Sequence, residues 1–271
     1  MDSAAERAVP DALAAVAAFG VSALWLVSLS PAGLVLQLAG LCAGALVTGA
    51  AVASILRRIP RFSTPADRVT LLRALLAALC AVLAVPQLLT GRPPDLLLVV
   101  LGGAAFLLDA LDGPIARRTG TASAAGARFD AATDAALVLV LSAAAAGVVG
   151  PWTLAIGAMY YVFVVLGFFR PHLREPLPRS AVRKAIGAFQ PFALLVALLP
   201  DLPAAAATAF TAAALASLTS SFARDTMLLE RRHRAGLVDA GALPDGTEQQ
   251  TNVAAAFSRG SRGPGRVPSA R

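Results

Sequence analysis

Lysine is almost missing from this 271-residue chain: of 23 basic residues only Lys184 is a lysine, and arginine supplies the rest. Charged residues make up 14%, aromatics 6%, and histidine occurs twice. So little charge, with a mean hydropathy of +0.71, excludes an ordinary soluble domain. Few aromatics, and arginines gathered between apolar runs, argue against nucleic acid as a partner. Cys42 and Cys80 lie in different apolar runs, which gives neither a disulfide framework nor a zinc spacing. Both are expected to be small packing residues. His172 and His233 are expected at the membrane interface, outside any chemistry. The first residues lack the basic n-region of a signal peptide, since Asp2, Glu6 and Asp11 face a lone Arg7. The first apolar run is therefore expected to persist as a helix.

Apolar runs of membrane length are abundant instead. The sequence predicts eight membrane helices, near 12–29, 32–56, 68–90, 95–117, 127–149, 152–169, 184–199 and 204–223. Breaks carry turn formers: Pro31, Gly91 with Pro93 and Pro94, Gly150 with Pro151, and Pro200 with Pro203. Arginine and lysine concentrate in alternate connections: four in 57–68, three in 117–128, five in 170–184 and four in 224–234. The positive-inside rule then puts those connections and both termini in the cytoplasm. The division expected is an N-terminal transmembrane hairpin (1–56), a cytoplasmic interfacial segment (57–67), a six-helix core (68–234) and a disordered cytoplasmic tail (235–271). The fold class is an all-α integral membrane protein. No internal repeat is evident.

Acids are the scarcest feature of the apolar region. Between Arg68 and Phe222 there are seven. Asp95, Glu175 and Asp201 stand at breaks, beside prolines. The other four are Asp109, Asp112, Asp130 and Asp134, and acids inside membrane-length segments are costly and usually functional. The first pair is three apart and the second four apart, so each pair shares one helix face. Measured from Arg117 and Gly126, the acids form two layers, roughly 6 and 12 Å from the helix ends at 1.5 Å per residue. Four converging carboxylates repel unless cations neutralise them, and hard oxygen ligands suit Mg²⁺, Mn²⁺ or Ca²⁺. Two such ions are the usual device for displacement at phosphorus. Gly113 and Gly126 clear space where a ligand would approach backbone, and Arg117 offers a fork for phosphate oxygens. A metal-bound phosphate ester or pyrophosphate at the membrane surface is the expected ligand. Arg118 and Arg128 are expected to serve topology, and Pro114 to kink its helix.

The full pattern, D-x2-D-G-x2-A-R-x8-G-x3-D-x3-D from Asp109 through Ala116 to Asp134, resembles that of the CDP-alcohol phosphotransferases, also called CDP-alcohol phosphatidyltransferases. A second stretch, T-P-A-D-R-V-T-L-L-R from Thr64 to Arg73, is similar to the start of that family's first core helix, where many members have Asn in place of Asp67. The resemblance covers about residues 60–225. It implies a six-helix core, usually homodimeric, that releases CMP from a CDP-linked donor as an alcohol attacks phosphorus. By the same resemblance Asp109, Asp112 and Asp130 are metal ligands, and Asp134 is the general base near the same metals. Gly113, Arg117, Gly126, Ser123, Thr64, Pro65 and Asp67 are implied donor-binding positions. The implied cofactor is Mg²⁺ or Mn²⁺, as two ions.

A donor whose site opens at the membrane surface is expected to be CDP-diacylglycerol. The inverse reaction, a soluble CDP-alcohol donating to a lipid, uses the same residues. The acceptor is expected to be a small, phosphorylated alcohol such as glycerol 3-phosphate or inositol phosphate. Such an acceptor needs a cationic pocket, and Arg183, Lys184 and Arg224, at helix ends, are the first candidates; Arg170, Arg174 and Arg179 come next. The expected location is a bacterial plasma membrane, with the site facing the cytoplasm. Two rivals are a transporter using the intramembrane acids and a catalytically silent relative. Magnesium-dependent CMP release separates the enzyme from both.

Overall fold

The computed structural model describes residues 2–58, 63–92, 94–118, 123–170 and 180–241, with side chains for all of these except 2–7, 110–118 and 232–241. The described residues form eight α-helices and no strand. They are α1 (Asp2–Leu29), α2 (Leu34–Leu56), α3 (Pro65–Thr90), α4 (Leu96–Arg118), α5 (Ala124–Ala146), α6 (Leu154–Phe169), α7 (Ala181–Ala197) and α8 (Ala204–Gly241). A 3-10 turn, Pro151–Thr153, leads into α6. The described residues divide into two compact units, with the boundary within α8 between Arg224 and Asp225.

Among the described residues, six helical stretches are long and apolar enough to cross a membrane, two of them in the N-terminal pair α1 and α2. Among the residues with described side chains, α4 contributes a further apolar stretch, Leu96–Asp109. α7 has 17 residues and carries Arg183 and Lys184 in its first turn. Large apolar side chains face outward, among them Trp25, Val35, Leu46, Phe168 and Phe169. On a water-soluble protein so much exposed apolar surface would be a liability. In a bilayer it is the solvent contact, and the protein is an integral membrane protein.

α3 lies at the centre, packed on α1, α2, α4 and α5. Its small residues Ala77, Cys80, Ala81 and Ala84 meet Leu98 and Ala105 of α4 and Leu141 of α5 in the main core. Small side chains let helix backbones approach closely, which is how helices associate in lipid. α2 and α3 approach one another closely. A Cβ at Gly40 would stand 2.5 Å from the Val82 carbonyl oxygen, and one at Gly44 2.8 Å from that of Ala78. Gly40→Ala is therefore expected to destabilise the bundle by about 1–3 kcal/mol, the usual cost of overpacking. Gly49→Ala, where a Cβ meets nothing within 4 Å, is the control. Thermal melts in detergent should show a lower Tm for the first and none for the second.

Helix ends follow local chemistry more than hydropathy. α3 begins three residues before its apolar run because Thr64 and Asp67 form a capping box with Pro65 in the first turn. The Thr64 Oγ1 accepts from the Asp67 amide at 3.2 Å, and the Asp67 carboxylate accepts from the Thr64 amide at 2.8 Å. Part of the polar segment expected at the interface is thus the first turn of α3. Ser180 caps α7, its Oγ accepting from the Arg183 amide at 3.4 Å, which moves the start to Ala181. Ser123 caps α5, its Oγ accepting from the Gly126 amide at 3.0 Å.

Candidate active site

α4 ends and α5 begins at the end of the bundle where α3 begins, and this junction holds the motif. Asp109 comes from α4, and Asp130 and Asp134 from successive turns of α5. One carboxylate oxygen from each of the three lies within 4.8 Å of the others. The three side chains are about half enclosed, at 41%, 37% and 43% exposure, so the cluster is open to a ligand. Asp112, Gly113 and Arg117 lie on the last turns of α4, and their side chains are outside the described residues.

Arg73 of α3 stands in the middle of the cluster. Its guanidinium is 2.5 Å from Asp130 and 3.1 Å from Asp109, and it pairs directly with Asp134. At 1% exposure its side chain is fully buried. Among the described side chains, three carboxylates against one guanidinium leave two formal negative charges. That deficit, with all-oxygen donors at short mutual distance, fits a hard divalent cation. The sequence motif does not single out Arg73, because its partners lie on other helices. A signal was present: an arginine eight residues into an apolar helix is costly unless acids meet it.

A second cluster forms beside the first. The Asp67 carboxylate accepts from Thr64 Oγ1 at 2.8 Å and from both terminal nitrogens of Arg58, each at 2.8 Å. A Cβ on Gly126 would be 3.2 Å from Ser123 Oγ and 3.9 Å from Asp67 Oδ1. Thr64, Pro65, Asp67, Ser123 and Gly126, nominated from two distant stretches, are thus brought to one place. Arg58, the bidentate partner of Asp67, was not foreseen. Helix caps explain part of this geometry, since Ser123 and Thr64 both satisfy free amides.

The basic candidates are spread more widely. Lys184 is exposed and within Coulombic reach of Asp109. Arg183 is half-buried in the first turn of α7, and Arg224 is exposed on α8. Arg170 ends α6, while Arg174 and Arg179 fall outside the described residues.

The sequence profile of the CDP-alcohol phosphatidyltransferase family matches residues 63–220, more than half of the 271 residues. No curated protein and no solved structure matches the chain significantly. The matched stretch contains both clusters except Arg58, and leaves α1 and α2 outside.

Proposed function

The chain belongs to the CDP-alcohol phosphatidyltransferase family, and on that premise we propose that it moves a phosphatidyl group from CDP-diacylglycerol to a small phosphorylated alcohol, releasing CMP. Membership alone supports a membrane transferase of substituted phosphate groups acting on a CDP-alcohol in lipid synthesis. One observation carries the finer reading. Three carboxylates able to hold a divalent ion stand beside the Thr64, Asp67, Ser123 and Gly126 cluster, so a pyrophosphate and its nucleotide have adjoining sites.

Asp109, Asp130 and Asp134, with Asp112 from the same motif, would hold Mg²⁺ or Mn²⁺, as two ions. Bound there, the metal offsets charge on the pyrophosphate and on departing CMP. Asp134 takes the proton of the acceptor hydroxyl. The acceptor oxygen bonds to the lipid-side phosphorus, the bridging bond to CMP breaks, and CMP leaves with that electron pair. By the family motif Arg117 and Gly113 are assigned to the donor phosphates, and Thr64, Pro65, Asp67, Ser123 and Gly126 to the nucleotide. Holding donor and acceptor in line removes much of the entropic barrier. Lys184 and Arg183, with Arg224, supply the cationic acceptor pocket. The arginine distribution favours a site facing the cytoplasm of a bacterial plasma membrane, and family habit favours a homodimer. The division into hairpin, interfacial segment, core and tail is kept as part of this proposal, with the core's first helix starting at Pro65 and its last running to Gly241.

The test is an acceptor series with purified protein in lipid, CDP-diacylglycerol and Mg²⁺. Glycerol 3-phosphate and inositol phosphate are expected to support CMP release, and inositol and serine are not. Lys184→Met is expected to raise the KM of the phosphorylated acceptor about tenfold or more, with kcat nearly unchanged, as loss of a binding charge does. Release with a CDP-alcohol and diacylglycerol alone would reverse the assigned direction.

A further inference from the structure

α1 and α2 stand outside the family match, yet α1 and the residues just after α2 make polar contacts with the start of α3. Asp11 of α1 accepts from Ser63 Oγ at 2.7 Å and from Arg68 Nε at 3.0 Å. Arg58, just after α2, makes the bidentate pair with Asp67. The two side chains are 6% and 3% exposed. The same guanidinium lies over the Phe129 ring, 5.7 Å from its centroid. Phe129 is itself buried and immediately precedes Asp130. One arginine from outside the family region thus touches the start of α3 and the start of α5 together.

Attachment of a helical pair needs no such device, because apolar packing and the Gly40 and Gly44 contacts already join α2 to α3. A buried ion pair contributes little net stability, since desolvation offsets most of the attraction. What it does fix is geometry: two parallel hydrogen bonds set the plane and position of a carboxylate. The Asp67 oxygen nearest Gly126 is one of the two so held.

We propose that the N-terminal pair is a brace for the nucleotide end of the site, with Arg58 as its positioning residue and Asp11 as a second tie. Arg58 orients Asp67 and spaces the first turn of α3 from the second turn of α5, so that the cytidine nucleotide finds a formed site. This rests on the donor-binding reading above.

The test uses the full-length protein with two readouts, direct binding of CMP in the presence of Mg²⁺ and steady-state kinetics with CDP-diacylglycerol. Arg58→Met is expected to weaken CMP binding at least about tenfold, as truncating one partner of a buried charge pair does. The donor KM should rise in step while kcat changes less than about threefold. Arg58→Lys, which keeps the charge and loses the fork, should recover part of the affinity. Asp11→Asn should weaken CMP binding by a smaller factor, and decides the matter alone if Arg58→Met does not fold. Variants that fold and bind CMP as the wild type does would overturn the brace and leave the functional reading intact. A wild type that neither binds CMP nor releases it would overturn that reading and the brace with it.

Discussion

Asp134→Asn should leave the protein folded and CMP binding within a few-fold of wild type, and should lower CMP release by about 10²–10⁴-fold, the usual contribution of a general base. The amide keeps the shape of the side chain and an oxygen for the guanidinium of Arg73, its partner in the cluster. It removes only the ability to accept the acceptor's proton and one ligand charge. Asp109→Asn should fail differently. Asp109 sits on the other helix of the cluster, and its loss should first raise the Mg²⁺ concentration needed for half-maximal rate. Single-turnover CMP release across a magnesium series separates the two. Full activity in Asp134→Asn would remove the base from the mechanism.

Arg73→Met is the second large effect, and its readout is stability. Arg73 is the guanidinium that meets Asp109, Asp130 and Asp134 from inside the bundle. Without it, three carboxylates face one another with only the exposed Lys184 within Coulombic reach of Asp109. Breaking a buried charge cluster costs about 3–5 kcal/mol, and the partial exposure of these acids points to about 3 kcal/mol, the lower end. At about 2–4 °C per kcal/mol for a chain of this size, the metal-free variant should melt roughly 6–12 °C below wild type. A divalent cation supplies the missing charge, so millimolar Mn²⁺ should raise the Tm of the variant more than that of wild type. Arg73→Lys should fall between, since an ammonium is a point charge that cannot span three carboxylates. Equal metal-induced shifts in Arg73→Met and wild type would mean that the ion and the arginine do not share these acids.

What could be read from the chain followed from local pattern. Eight apolar runs broken by Pro and Gly gave eight helices, and the spacing of Asp109, Asp130 and Asp134 gave the cluster that the structure assembles. Helix starts were missed by a turn at α3 and α7, because a hydropathy window sees the apolar run but not the cap before it. Arg73 and Arg58 were not placed in the site for a different reason. Arg73 meets an acid 57 positions away, and no periodicity within one helix records which arginine will face which carboxylate. Arg58 looked like one more topology residue in a basic connection. Its burial against Asp67 and Phe129 depends on how α2, α3 and α5 pack. Side-chain contacts between helices are set by packing, and the scarce charges in an apolar chain are where that information would have been most useful.

The most direct measurement is CMP release from CDP-diacylglycerol by the purified protein in lipid, with glycerol 3-phosphate present, before and after metal is removed by chelation and then restored. Release that stops on chelation and returns with Mg²⁺ is the predicted result. Folded protein that releases no CMP from any CDP-linked lipid or alcohol, or that releases it equally without metal, would contradict the reading of Asp109, Asp130 and Asp134 as a metal centre for phosphatidyl transfer.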